Sequence, residues 1–330
     1  MKPDSIPFFP MRTPQLPLAF AALLFGVCGC NRSNTSSGSS NAATTNGTDS
    51  RPIIALVVKT LNNPYFIEMQ QGAEKAAKAD HVQLLVQAAE RESDVERQMQ
   101  IIENLIQRKV SVLVITPSGS REIVPVIVKA NSANIPVIIV DTRADGPEMQ
   151  SAGAKIAAFI GSDNYMGGKL AGEYLTQKFN GTAKLAVLEG IPGHETGDAR
   201  LRGFQDALAG HPGMQIVASQ PANWERDQGY NVFQNILQAH PEINGLFAAS
   251  DLMALGATEA IAAAKKTGQI AVVGFDAQPE AREAIKKGSM VATVAQNPAT
   301  MGEMAVDAAV KVLAGQTVTP EFSVPIELIK

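Results

Sequence analysis

Residues 54–66 read IALVVKTLNNPYF. The first half, Ile54 to Val58, is an unbroken apolar run of the kind that forms a strand buried on both faces of a parallel sheet. It ends abruptly in a loop carrying Lys59, Asn63, Tyr65 and Phe66, which leads into a helix. In a parallel α/β sheet such a loop lies at the carboxyl edge of the strands, where these folds bind ligands. A nucleotide site would place glycines there so that phosphates can approach the backbone. This loop contains none. An amide beside aromatic rings suits instead a neutral polyol with apolar C–H faces, which is a sugar.

The same pattern continues outward from this stretch. Apolar runs recur at 83–87, 111–115, 136–140, 156–160, 184–188, 214–218, 245–249, 270–274 and 290–295. Segments with helical spacing lie between most of them. In 90–107, for example, Val95, Met99, Ile102 and Leu105 fall on one face. Other helices are expected over 166–179, 199–209, 228–239, 251–265 and 301–313. Gly or Pro punctuates the joints, as at Pro117, Pro136, Gly181, Pro192, Gly213 and Gly268. Repeated βα units imply parallel sheets with helices on both faces. Ten strands in 330 residues predict two doubly wound lobes, joined near GSDN at 161–164.

The first 50 residues read differently. Lys2 and Arg12 precede a short apolar run at 16–27 (LPLAFAALLFGV), followed by Cys28, Gly29 and Cys30. The run is too short to span a membrane and has the flanks of an export signal. An apolar residue, a small residue and Gly ahead of Cys30 form a lipobox, so Cys30 is the expected lipidation site and 1–30 the lipoprotein signal peptide. Residues 31–50 (NRSNTSSGSSNAATTNGTDS) lack any large apolar side chain and read as a flexible tether. No cysteine follows Cys30, which excludes disulfides, thiol nucleophiles and Cys metal sites from the rest of the chain. With 28 Lys+Arg against 32 Asp+Glu, the balance excludes a nucleic-acid footprint.

Enzyme signatures are missing too. Gly168-Lys169 resembles the end of a phosphate-binding loop, but Leu170 follows it and Asp163 stands where the first Gly belongs. There is no GxSxG elbow and no GxGxxG after the first strand. Of the four histidines, His81, His211 and His240 lie at turns or helix ends; only His194, in a loop facing the strand ends, stays open as a site candidate. No metal or cofactor is expected.

Polar and aromatic residues instead gather just past the strand ends: Asp141, Arg200, Trp224, Ser250, Phe275, Asp276 and Gln296. Taken singly they have plain structural readings. Asp251 or Ser250 would cap a helix, Phe275 would be core and Lys59 a solvated strand end. Taken together they point to one crevice. Ionised Asp accepts two hydroxyl hydrogen bonds, Arg donates in a planar fork, Asn and Gln do both, and aromatic rings cover a sugar's C–H faces.

At this level of detail the chain resembles the periplasmic sugar-binding proteins of bacterial ABC importers, the ribose-binding-protein family. The motifs are TLNNPYF, NIPVIIVD, SDNYMGGKLAGEYL, VASQPANW, DLMALGA, VVGFDAQPE and ATVAQNP. The resemblance implies two similar α/β lobes, a three-crossing hinge and closure on a sugar. The crossings would fall near 162–163, 296–297 and 324–326, giving one lobe of 51–162 plus 297–324 and another of 163–296 plus 325–330. It also implies ligand contacts from Asn63, Tyr65, Phe66 and Asp141 on one side and Arg200, Trp224, Phe275 and Asp276 on the other, with Gln296 at the hinge. Ribose binders have Ser where this chain has Lys59, Asn at Thr116 and Ser250, and Arg at Thr142. Lys59 and Trp224 are closer to the allose-binding member, which makes a D-allose-like hexose the lead ligand and D-ribose the second.

The expected role is therefore an extracytoplasmic, lipid-anchored, monomeric receptor that delivers a monosaccharide to an ABC permease. The alternative is a sensor that presents a sugar, or a furanose-like signal, to a membrane receptor. A repressor of the same fold would need a basic helix-turn-helix where the leader and tether stand.

Overall fold

The alternation of apolar runs with amphipathic segments produces two sheets in a computed structural model, which describes residues 51–330. The expected export leader, the expected lipidation site Cys30 and the expected tether lie outside the described residues. The elements run in order from β1 (Ile53–Thr60), α1 (Pro64–Ala79), β2 (Gln83–Ala89), α2 (Val95–Gln107), β3 (Val112–Ile115), α3 (Val124–Ser132), β4 (Val137–Val140), α4 (Gly146–Ala152) and β5 (Ala158–Ser162). Next come α5 (Asn164–Lys178), β6 (Ala183–Glu189), α6 (Glu195–Leu208), β7 (Met214–Pro221), α7 (Arg226–Ala239), β8 (Gly245–Ala248), α8 (Asp251–Ala263), β9 (Ala271–Asp276), α9 (Pro279–Lys286) and β10 (Ala292–Ala295). The last are α10 (Pro298–Leu313), β11 (Glu321–Val324) and β12 (Glu327–Ile329).

The first sheet runs β2-β1-β3-β4-β5-β11 with every pair parallel. The second repeats the order as β7-β6-β8-β9-β10-β12, and only β12 pairs antiparallel. These are two α/β lobes of one design. Successive side chains of a strand point to opposite faces, and both faces are covered here. Ile54, Leu56 and Val58 join a core with α1 and α10, whereas Ala55 and Val57 join one with α2 and α3. Full burial of each large aliphatic side chain contributes about 1.5–3 kcal/mol.

The chain passes from one sheet to the other after Ser162, between β10 and α10, and between β11 and β12. α10 accordingly packs on α1 and on β3, β4 and β5, and α5 packs on α6 and on β9 and β10. In each lobe the strand order reverses beside the first strand, between β1 and β3 and between β6 and β8. Loops diverge at such a switch point and leave a crevice at the carboxyl ends.

Three helix pairs approach through opposed glycines. A Cβ on Gly72 would sit 1.9 Å from Ala299 O, and one on Gly302 2.0 Å from Met69 O, which brings α1 and α10 into backbone contact. Gly168 and Gly203 do the same for α5 and α6, against Arg200 O and Tyr165 O. Gly229 and Gly256 do so for α7 and α8, against Met253 O and Arg226 O. The second pair fixes the height of Arg200 above the sheet.

Several expected boundaries move. The helix expected over 90–107 begins at Val95, because the Asp94 carboxylate accepts from the Arg91 N–H and closes a turn ahead of it. Its buried face is Gln98, Ile101, Ile102 and Leu105, one step round from the expected stripe. α6 starts at Glu195 rather than at 199, and β7 continues to Pro221. β11 and β12 bring the strands of the described residues to twelve; EFSV and ELI are short and flank Pro325, so neither makes an apolar run. Among the described residues no helix is long and apolar enough to cross a membrane.

Candidate ligand-binding site

The carboxyl ends of the two sheets face each other across a small cavity. From the first lobe, Lys59 is next to last in β1 and is 3% exposed rather than a solvated strand end. Its Nζ lies 3.8 Å from Glu92 Oε2 and 3.6 Å from Asp141 Oδ2. Asn63 caps α1, accepting from the Tyr65 N–H at 3.0 Å, and its Nδ2 donates to Glu92 Oε1 at 2.9 Å. Tyr65 donates its hydroxyl to Asp141 Oδ1 at 2.8 Å, and its ring meets that of Phe66 edge to face. Asp141, just past β4, sits at φ 65° and accepts from Thr142 Oγ1 at 2.8 Å.

From the second lobe, Arg200 reaches up from α6 and is 4% exposed. Its Nε donates to Asn164 Oδ1 at 2.8 Å and its Nη1 to the Ala249 carbonyl at 2.6 Å. The guanidinium stacks 3.7 Å above the Phe275 ring and lies 3.8 Å from Asp276 Oδ1. Gln296 donates Nε2 to the same Asp276 oxygen at 2.6 Å, while its own Oε1 is buried without a partner. Ser250, not Asp251, caps α8, accepting from the Met253 N–H. Asp251 stands inside the helix, fully buried, accepting from Thr293 Oγ1 and the Gln278 N–H.

Of the residues expected from sequence, Lys59, Asn63, Tyr65, Phe66, Asp141, Arg200, Trp224, Ser250, Asp276 and Gln296 all line this one cavity. Phe275 does not. It is fully buried and forms the platform beneath Arg200. Two wall residues, Glu92 and Thr196, are not among those the sequence singles out. Helical spacing over 90–107 absorbs Glu92 into α2. Its position still carries a signal, since it lies past the end of β2 much as Asp141 lies past β4.

Electrostatically the cavity holds three carboxylates, Glu92, Asp141 and Asp276, against the two cations Lys59 and Arg200. Burial pushes Asp276 well above the usual carboxylate range, with Arg200 opposing and the Asp251 carboxylate adding to the rise. Burial also raises Glu92, against the pull of Lys59 and the Asn63 hydrogen bond. Carboxylates in this condition gain from neutral hydroxyl donors, which supply hydrogen bonds to the ionised form without adding charge. Among the described residues no group of His, Cys, Asp or Glu could hold a metal ion.

Trp224 follows β7 at φ 67° and is seated against Gly190. A Cβ on Gly190 would fall 1.9 Å from the indole. Gly190→Ala is therefore expected to unseat the ring and shift the emission of Trp224, the sole tryptophan in the chain. Emission identical to that of the parent protein would contradict this seating.

The lobes meet across the cavity. Gln278 Nε2 donates to Asn63 Oδ1 at 2.9 Å, and the Glu195 N–H donates to Ser120 Oγ at 3.3 Å. The cleft is shut.

A family model described as periplasmic binding protein domain matches residues 54–317. The chain is 39% identical over 276 residues to the ribose import binding protein RbsB of Escherichia coli K12, covering 84% of this chain and 90% of that protein. It is 35% identical over 249 residues to the D-allose-binding periplasmic protein of the same strain, covering 75% and 80%. Among solved structures, an ABC transporter periplasmic solute binding protein from Actinobacillus succinogenes 130z with bound D-allose is 41% identical. The match covers 84% of this chain and 97% of that one, with a TM-score of 0.81.

Proposed function

The chain belongs to the periplasmic binding protein family, and on that premise we propose that it closes on a single monosaccharide and delivers it to an ABC permease. It is a sugar-binding component of an ABC importer and acts outside the cytoplasm without catalysing a reaction. The observation that carries the finer reading is the state of the cleft groups. Gln296 Oε1 is buried and unpartnered, and Asp276 and Glu92 are destabilised as anions, in a small cavity walled by polar and aromatic side chains of both lobes.

Wall residues as buried as Lys59 and Arg200 cannot be reached from solvent, so the ligand enters with the lobes apart. The sugar then stabilises the shut form by the contacts that only this form completes. The lead ligand is a D-allose-like hexose, with D-ribose second. Support comes from Lys59 and Glu92, which add a donor and an acceptor beside Asp141 and Asn63, and from the bulk of Trp224. The body acts as a monomer, held to the membrane through a lipid on Cys30.

Small-angle scattering with and without the bound sugar tests the closure. The radius of gyration is expected to fall on binding. An unchanged radius at saturation would refute closure.

A further inference from the structure

Gln278 bridges the two lobes from outside the ligand cavity. It is the N-cap residue of α9 in the second lobe, 4% exposed, and its side chain does not cap that helix. Its Nε2 donates instead to Asn63 Oδ1, on the first lobe, at 2.9 Å. Asp251, a buried carboxylate that also lies outside the cavity, accepts from the Gln278 backbone N–H at 2.8 Å. We propose that Gln278 is a positioning residue: it clasps Asn63 across the cleft when the lobes shut, fixes that amide as a donor toward the sugar, and slows the sugar's escape.

Valence fixes the direction of the clasp. The Tyr65 backbone N–H can only donate, so the Asn63 atom it meets at 3.0 Å is the amide oxygen. The Gln278 atom that faces this oxygen is then its own NH2 group. Asn63 Nδ2 in turn gives one hydrogen to Glu92 Oε1 at 2.9 Å. In the shut form both lone pairs of the amide oxygen and one amide hydrogen are taken. A single N–H is left for the ligand, so the sugar oxygen opposite Asn63 accepts. With the lobes apart, the second lone pair of Oδ1 opens to water and the amide is held at one point fewer.

The second lobe aims the clasp through its own contacts. Asp276 and Ala277 adopt φ of 111° and 54°, a strained turn for two residues that are not glycine. Hydrogen bonds within that lobe hold the turn. Thr293 Oγ1 donates to Asp251 Oδ1 at 2.7 Å and accepts from the Ala277 N–H at 3.2 Å. Asp251 Oδ2 takes the Gln278 N–H, and Arg282 Nε donates to the Ala277 carbonyl at 2.8 Å. The same turn therefore points Asp276 into the cavity and Gln278 across the cleft. On the other side Asn63 is anchored as the cap of α1. Little freedom remains to be lost when the two meet, so most of the bond counts toward closure. A contact made only on closure adds to the bound state and not to the free one, so its loss shows in the rate of release.

This inference rests on the sugar-binding reading, and one experiment separates the two. The parent protein, Gln278→Met and Gln278→Asn are titrated calorimetrically with D-allose, D-ribose, D-psicose, D-galactose and myo-inositol. Met keeps the length without the donor, and Asn keeps the amide one carbon short. Release is timed by chasing radiolabelled sugar with an excess of the unlabelled one, and the unfolding midpoint of each free protein is recorded. Both variants are expected to bind about fivefold to tenfold more weakly, wholly through faster release, with the free-protein midpoint of the parent. Affinities equal to the parent's overturn the clasp and leave the sugar reading intact. Slower association, or a lower midpoint of the free protein, makes Gln278 a support of its own loop and overturns the clasp too. If one variant does not fold, the other decides by the same measures; if neither folds, Gln278 is structural and the clasp falls. Failure of all five to bind the parent overturns the sugar reading, and the clasp with it.

Discussion

Arg200→Ala is expected to lower sugar affinity by two to three and a half orders of magnitude. The guanidinium holds Asn164 and the Ala249 carbonyl, stacks on Phe275 and offsets Asp276, all in a cleft closed to water. Removing it leaves Asp276 buried without its cation. Breaking a buried pair in this way costs about 3–5 kcal/mol. Asp276 is already displaced upward by burial, so without Arg200 it retains a proton and loses acceptor capacity toward ligand hydroxyls. Arg200→Lys is expected to recover only part of the loss, because an ammonium cannot span Asn164 and Ala249 in the plane of a fork. Calorimetry on the three proteins decides. A loss of less than tenfold in Arg200→Ala would remove Arg200 from the site.

Lys59→Met is the second large effect, expected at about 2 kcal/mol or more, roughly thirty-fold in affinity. Met keeps the length and apolar stem but removes the charge between Glu92 and Asp141. Glu92 loses the largest influence holding it down and shifts further toward its neutral form. The Lys59→Met, Glu92→Gln double variant removes the abandoned carboxylate together with the lysine. It is expected to bind more tightly than Lys59→Met alone, which separates the cost of an unpaired acid from the loss of a ligand contact. Equal affinities for the single and double variants would mean that Glu92 does not depend on Lys59.

Much of this site is legible along the chain because a doubly wound sheet turns a linear rule into a spatial one: the residues just past each strand lie at the same edge. That is why Asp141, Arg200, Ser250, Asp276 and Gln296, up to 155 residues apart in number, line one cavity with Lys59 and Asn63. The rule fails where local chemistry intervenes. Glu92 is hidden because the Asp94 turn delays α2, so a residue that helical spacing assigns to the helix belongs to the loop. Phe275 stands at a strand end, yet it points beneath Arg200 into the core against Gly167, since the strand's alternation sends Phe275 to the core and Asp276 to the cleft. The direction of a side chain at a strand end depends on the register of one residue, and apolar runs do not define a strand's last residue that sharply. His194 stays open in the sequence because its partner, the Trp224 indole N–H, comes 30 residues later and past another strand, a contact that no local pattern encodes.

The central claim is that this shut cleft is a site for one monosaccharide with Trp224 on its wall. Tryptophan emission, titrated with D-allose, D-ribose, D-psicose, D-galactose and myo-inositol, tests it most directly, because the chain has a single tryptophan. A saturable change at one sugar per protein is expected, largest for D-allose and abolished in Arg200→Ala. No saturable change with any of the five would contradict it.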